Sequence, residues 1–223
     1  MATTRLDRDQ VVDTALRLLN EVGLEGLTLR RIAKELNVQA PALYWHFKNK
    51  QALLDEMATT IFLRLAEEPA DPDEATTWQG RLLSSQRALR RALLRYRDGA
   101  KVFSGTRFTR TDHAVSMEAH LRVFVAAGFT PGAAARASFI AYAFTLGFVI
   151  EEQAVEPMAG ERHPGYDVEE RADLIGPDYP LAGAVGADLF LDYESRFEEG
   201  LRTIVAGIEA TLGPAGPGGT MAP

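Results

Sequence analysis

The 223-residue sequence contains no cysteine, so it carries no disulfide framework, thiol nucleophile or thiolate metal site. A reducing cytoplasm is compatible with that. Histidine is scarce as well. His46, His113, His120 and His163 are scattered, and no Ser-His-Asp arrangement or nucleophile elbow accompanies them. Glu151 and Glu152 are adjacent, so on a helix they diverge by about 100° and form no natural carboxylate pair. His113 and His120 lie two helical turns apart, too far to share a metal as an i, i+4 pair would. These absences argue against an enzyme, a resident metal or a cofactor. The opening MATTRLDRDQ has no apolar signal core, and no run of ~18 apolar residues follows. A soluble, cytoplasmic chain without a membrane partner is the expectation.

Positive charge is in deficit too: 24 Lys and Arg against 31 Asp and Glu, a net charge of −7. That argues at first against nucleic acid. The imbalance is uneven, however. Residues 1–50 hold 8 basic and 6 acidic side chains, whereas the remainder holds 16 against 25. A DNA-binding head on an acidic body fits that split, because only the contacting face must be positive. What remains is ordinary for a globular protein, with 46% hydrophobic and 25% charged residues. The length allows one to two domains.

The stretch from Thr28 to Lys50 organises the rest. Leu29, Ile32, Ala33 and Leu36 recur at three- and four-residue spacing, which predicts a short amphipathic helix. Asn37 tolerates the left-handed exit that such a helix often needs. Pro41 suits the first turn of a second helix, where its missing N–H costs nothing. Two helices joined by so short a turn form a helix-turn-helix, whose second helix enters the DNA major groove. Before it, Asp7 caps a first helix, with Gln10 as in a capping box and Leu6–Val11 as a hydrophobic staple. Val12, Ala15, Leu16, Leu19 and Val22 line that helix and Gly23 ends it.

Downstream, Asn49 caps a long helix from Lys50 to about Ala66, striped by Leu53, Leu54, Met57, Ala58, Ile61, Phe62 and Leu65. It runs from the DNA-binding end into the body. Residues 67–74 read as an acidic boundary loop. A helix over 77–97 carries Arg87, Arg90, Arg91, Arg95 and Arg97, read as a solvated face pairing with the acidic body. Helices are also expected over 112–127 and from Pro131, capped by Thr130, to about Val155, the latter a buried core helix. Residues 156–180 read as a long mobile loop, and Leu181–Leu212 as a final helical region weakened near Gly183 and Gly186. The resulting division is 1–50 (helix-turn-helix), 51–67 (connecting helix), 68–212 (ligand-binding and dimerisation) and 213–223 (disordered tail).

Leu43-Tyr44-Trp45-His46-Phe47-Lys48-Asn49-Lys50, preceded by Leu27-Thr28 and Arg30-Arg31-Ile32-Ala33, resembles the N-terminal domain of the tetracycline-repressor (TetR) family. Arg97-Asp98-Gly99-Ala100-Lys101-Val102 with Gly105-Thr106-Arg107, and Phe144-Thr145-Leu146-Gly147 with Glu151 and Gln153, resemble the ligand domain of the tetracycline repressors within that family. The likeness covers roughly residues 5–155. It implies an all-α protein: an N-terminal three-helix helix-turn-helix domain, then a larger helical bundle that binds ligand and dimerises. The implied partners are double-stranded DNA carrying a palindromic operator, a small-molecule effector and a second copy of the chain.

The DNA-contacting residues implied are Thr28, Arg30, Ala40, Pro41, Ala42, Tyr44, Trp45, His46, Lys48 and Lys50. Arg30 matches a position that reaches guanine. In the family, the residues flanking the proline commonly carry polar base-reading side chains; Ala40 and Ala42 can offer only methyl contact, for example to thymine. The ligand lining implied is Ser85, Leu89, Phe103, Thr106, Arg107, His120, Phe144 and Glu151. In the tetracycline repressors a histidine at the position of Phe103 binds the drug's magnesium, and a histidine and an asparagine contact the drug where Ala66 and Ser85 stand here. Phe103 has no lone pair for a hard cation, so magnesium-bound tetracycline is not the expected effector. Phe103 and Phe144 instead favour a flat, hydrophobic, polycyclic aromatic ligand oriented by Arg107 or His120. Two alternatives stay open: a small-molecule-sequestering protein without operator function, and an enzyme with an unrecognised site.

The last helical region also poses a burial problem. Leu189, Phe190, Tyr193, Phe197, Leu201, Ile204, Val205 and Ile208 make an apolar face too wide to leave in water. It must be covered from within the chain or across a two-fold axis.

Overall fold

The computed structural model describes residues 7–67 and 76–214, and these form helices and connecting turns with no strand among them. Leu6 of the expected staple, the acidic boundary residues 68–74 and tail residues 215–223 lie outside the described residues.

Helix α1 spans Arg8–Gly26, and the Asp7 carboxylate accepts from the Asp9 N–H at 3.4 Å. Its buried face is Val11, Val12, Ala15, Leu16, Leu18 and Leu19. Gly23 breaks the regular helix with φ +67°, and a Cβ there would meet Asp98 Oδ2 at 3.1 Å. Both facts call for glycine. Helix α2 (Leu29–Glu35) starts at Thr28, whose hydroxyl accepts from the Arg31 N–H. Asn37 turns the chain at φ +54°, and α3 (Ala40–Tyr44) begins with Pro41 in its first turn. Helix α4 (Lys50–Ala66) is capped by Asn49, which accepts from the Ala52 N–H at 2.8 Å.

The body comprises α5 (Trp78–Leu94), α6 (Gly99–Phe103), α7 (His113–Ala126), α8 (Pro131–Val155), α9 (Val168–Ile175), α10 (Pro180–Ala184), α11 (Gly186–Phe190) and α12 (Tyr193–Thr211). Thr130 caps α8 by accepting from the Ala133 N–H at 3.2 Å. Two apolar cores result. The first runs without interruption from α1–α4 into Leu89, Leu93, Ala100, Val102, Phe103 and Val149. The second joins Trp78 and Leu82 of α5, Phe124, the alanines of α8, and Phe197, Leu201, Val205 and Ile208 of α12.

Three expectations change here: the loop at 156–180, the single final helical region and the solvated basic face of α5. Residues 156–180 are not one loop: a 3-10 turn (Pro164–Tyr166) and α9 occupy the middle. Pro164 starts the 3-10 turn and Pro180 starts α10 rather than interrupting a helix, and Asp167 caps α9 by accepting from the Glu169 and Glu170 N–H groups at 2.9 Å. Arg162 staples the segment by donating to Glu156 and to the carbonyls of Tyr166 and Phe190. The final helical region is split by Leu191–Asp192, with Asp192 left-handed at φ +47°, so Leu189 and Phe190 do not belong to the last helix.

The apolar face of α12 is covered from within the chain. Tyr193, Phe197, Leu201, Val205 and Ile208 are buried, and the helix approaches α8 so closely that a Cβ on Gly200 would lie 2.5 Å from Phe144 Cζ. The basic face of α5 is solvated only in part: Arg91 and Arg95 are exposed, but Arg87 pairs with Glu198 at the half-buried edge and Arg90 turns into the core. Arg90 is 7% exposed and makes a bidentate pair with Glu152, Nε–Oε2 2.9 Å and Nη2–Oε1 2.7 Å. Finally, α8 is 25 residues long and apolar enough to span a membrane by length and composition; it packs instead between α5, α7 and α12.

Candidate nucleic-acid interface and ligand cavity

The reading head presents a compact set of exposed groups. Trp45 is 90% exposed and Tyr44 53%, against a general tendency to bury aromatic rings. Their position follows from α3. Leu43 and Phe47 point inward and are fully buried, which turns the residues between them outward on so short a helix. Arg30, Arg31 and Lys34 on α2, and Lys48 after α3, are exposed, and their side chains have no hydrogen-bond or ion-pair partner among the described residues. Unpaired cations beside exposed aromatic N–H and O–H groups suit phosphate oxygens and base edges.

Other expected contacts are placed differently. Thr28 is engaged as the cap of α2. Ala40, Ala42 and His46 are half-buried and Pro41 exposed. The Lys50 ammonium turns back to the Leu24 carbonyl at 2.6 Å, where it satisfies an acceptor left by the broken end of α1.

That broken end is also where head meets body. The Asn20 side chain donates to the Arg95 carbonyl and accepts from the Arg97 N–H at 2.9 Å. The Asp98 carboxylate accepts from the Leu24 N–H at 2.9 Å and from Lys101 at 2.8 Å. Burial pushes the Asp98 carboxyl up, but Lys101 and the Leu24 N–H outweigh it and hold its pKa below the usual value.

The expected ligand residues do not share one cavity. Phe103 lies in the first core within an aromatic cluster: Phe103–Phe108 centroids are 5.9 Å apart, Phe103–Tyr142 6.4 Å, Phe62–Phe108 4.8 Å and Phe108–His113 5.0 Å. Thr106 donates to the Phe103 carbonyl at 2.8 Å. Arg107 is exposed, and its backbone N–H donates to Asp55 at 3.2 Å. On α5, Leu89 is buried and Ser85 donates to the Leu82 carbonyl at 2.9 Å. His120 sits further along, 3.0 Å from the Ser138 hydroxyl and against Phe124. Burial, with the Arg81 charge adding to it, pulls the His120 pKa down to about 4, so the ring is neutral at neutral pH.

Phe144 and Glu151 lie on the other side of α8. With Gly147, Phe148, Val155, Tyr166, Leu189, Phe190, Tyr193 and Arg196 they line an open cavity of about 300 Å³. Phe144 stacks on Phe197 at 5.7 Å and 19°. Arg196 lies over Phe148 and Tyr193, with its Nη1 buried and unpartnered. Sequence reasoning missed Phe62, Phe108, His113 and Tyr142 as neighbours of Phe103. Their aromatic character was the available signal, but only the crossing of α4, α7 and α8 brings them together.

Two family models match the chain. A family model described as bacterial regulatory proteins of the tetR family matches residues 11–57, and one described as a tetracyclin repressor-like C-terminal domain matches residues 69–212. The chain is 43% identical over 209 residues to the tetracycline repressor protein class A from transposon 1721 of Escherichia coli, covering 92% of this chain and 91% of that protein. A "possible TetR family transcriptional regulator" of Streptomyces coelicolor A3(2) superposes with a TM-score of 0.78 at 40% identity, covering 92% of this chain and 99% of that one. The Streptomyces coelicolor protein ActR, in a structure with (S)-DNPA, superposes with a TM-score of 0.75 at 25% identity, covering 93% and 99%.

Proposed function

The chain belongs to the tetR family of bacterial transcriptional regulators, and from that premise we propose that it is a cytoplasmic, homodimeric repressor that leaves a palindromic operator when a hydrophobic aromatic effector binds its body. The observation that carries the DNA-binding half is the reading head itself: Trp45 and Tyr44 exposed beside Arg30, Arg31, Lys34 and Lys48, their side chains all without partners among the described residues. Arg30 reads a base edge, the other cations and the aromatic N–H and O–H groups fix the register on phosphates, and Ala42 offers a methyl contact.

Support for a dimer comes from helix faces that the chain leaves in water. On α8, Phe139 is 66% and Ile140 44% exposed, beside exposed Ala143 and Gly147. A Cβ at Gly147, or at Gly207 of α12, would meet nothing within 4 Å. Small residues on two neighbouring helices allow the close approach of a two-fold helical bundle. Two heads on one axis then demand half-sites spaced by the helical repeat. The effector enters the aromatic cluster around Phe103, Phe108 and Tyr142, and can release DNA only through its differential affinity for the two conformers. ActR, the ligand-bound relative of similar shape, lends that half support. No catalytic arrangement enters the reading.

The test is capture of sheared genomic DNA from the native host on the purified protein, with Arg30→Ala beside it. Enrichment of a few palindromic fragments, lost or relaxed in the variant, supports the repressor. Recovery no better than random fragments favours the sequestering protein instead.

A further inference from the structure

One buried carboxylate belongs to both ends of the molecule. Glu56 of α4 is 4% exposed. Its Oε2 accepts from Arg8 Nε at 2.9 Å and Arg8 Nη2 at 2.5 Å. The third arm of Arg8, Nη1, donates to the His46 carbonyl at 3.0 Å, and the guanidinium lies 4.6 Å over the buried Phe47 ring. His46 and Phe47 follow Trp45, the C-cap of α3, and both their N–H groups donate back to the Leu43 carbonyl, so Arg8 satisfies a carbonyl just past the helix end and holds the exit of the recognition helix. The other oxygen, Oε1, faces Arg110 Nε at 3.9 Å. Arg110 comes from the segment that follows α6 and Phe103. That segment is laid along the same face of α4: the Arg107 N–H donates to Asp55 at 3.2 Å, and the Thr109 N–H to the buried Thr59 hydroxyl at 2.9 Å.

We propose that Glu56 is a positioning residue of the DNA site, and that its carboxylate is the joint through which the segment 104–110 sets the pose of the recognition-helix exit. The carboxylate is anchored on one α4 turn, so a shift of Arg110 changes how firmly Glu56 holds Arg8, and Arg8 holds residues 46 and 47. Glu56 itself is buried and cannot touch DNA. The proposal rests on the regulatory reading above, but it does not need the effector to be known.

The test measures amide hydrogen exchange of residues 40–47 in the DNA-free protein, and operator affinity against salt, for Glu56→Gln, Arg110→Gln and the double variant. Glu56→Gln should speed exchange in 40–47 and weaken operator binding about tenfold, with the slope of log K against log salt unchanged, since no phosphate contact is lost. Removing an acidic charge would by bulk electrostatics strengthen DNA binding, so the expected sign is opposite to the trivial one. Arg110→Gln, at a side chain 45% exposed, should speed the same exchange and weaken binding about threefold. Its effect should vanish in the Glu56→Gln background. Exchange that responds in a protein with no operator would keep the joint and remove the regulatory reading. Wild-type exchange in Glu56→Gln, or an Arg110→Gln effect equal in both backgrounds, would overturn the joint.

Discussion

Replacing Arg90 by methionine isolates the pair that ties three helices of the body together. Arg90 on α5 is 7% and Glu152 on α8 5% exposed, and their bidentate contact is supplemented by Glu194 of α12 and by the Phe197 ring at 5.1 Å. The Glu194 side chain is 74% exposed, so its share is small, within the ~0–1 kcal/mol of a surface pair. The cost of Arg90→Met is therefore dominated by the Glu152 carboxylate left buried without its cation, about 3–5 kcal/mol. For a chain of this size that lowers Tm by about 6–20 °C. A double variant, Arg90→Met with Glu152→Met, removes the orphaned charge together with its partner and should recover most of the loss. Urea and thermal unfolding at fixed protein concentration would measure both, the concentration being held because a dimer's stability depends on it. A single variant within about 1 kcal/mol of wild type, or a double variant no better than the single, would refute the reasoning.

Other outcomes follow from the same structure. His120 is held neutral with a pKa near 4 against 6.5 for the free side chain, so the unfolded chain binds its proton more readily. Its stabilisation is complete above about pH 6.5 and is lost as pH falls toward 4, about 2 kcal/mol between pH 7.5 and 5; His120→Phe should flatten that part of the pH profile. Gly200→Ala forces a Cβ to 2.5 Å from Phe144 Cζ. The overpacking, about 1–3 kcal/mol, should exceed the helix-propensity gain of about 1 kcal/mol, and an unchanged urea midpoint would contradict the close approach of α12 to α8. Titration calorimetry with tetracycline and magnesium should show no tight, EDTA-sensitive binding, because Phe103, buried among rings, offers no metal ligand.

What was legible in the sequence was local. Asp7, Asn37, Pro41, Asn49 and Thr130 act within a few residues of themselves, so the helix boundaries they set could be read from spacing alone. What was not legible depends on helices crossing. Phe144 and Tyr142 are two residues apart on α8 and therefore about 200° apart around it. Tyr142 faces Phe103, while Phe144 faces α12, and no pattern along the chain reveals which face a distant helix will cover. The same holds for Lys50, which looks like a phosphate anchor beside Lys48 until the broken end of α1 offers it the Leu24 carbonyl. Arg90 is a further case. Its charge marks it for the surface by composition, and only Glu152, contributed 62 residues later, makes its burial tolerable.

The central claim is that the exposed head reads a two-fold DNA site as a dimer. Selection of bound duplexes from a random pool, with the stoichiometry of the recovered complex measured by native mass spectrometry, tests it directly. The account predicts a palindrome whose half-sites follow the helical repeat, two protomers on each duplex, and a relaxed preference at one position of each half-site with Arg30→Ala, worth about 1–3 kcal/mol. Recovery of sequences no different from the starting pool, or of one protomer on an asymmetric site, would contradict it.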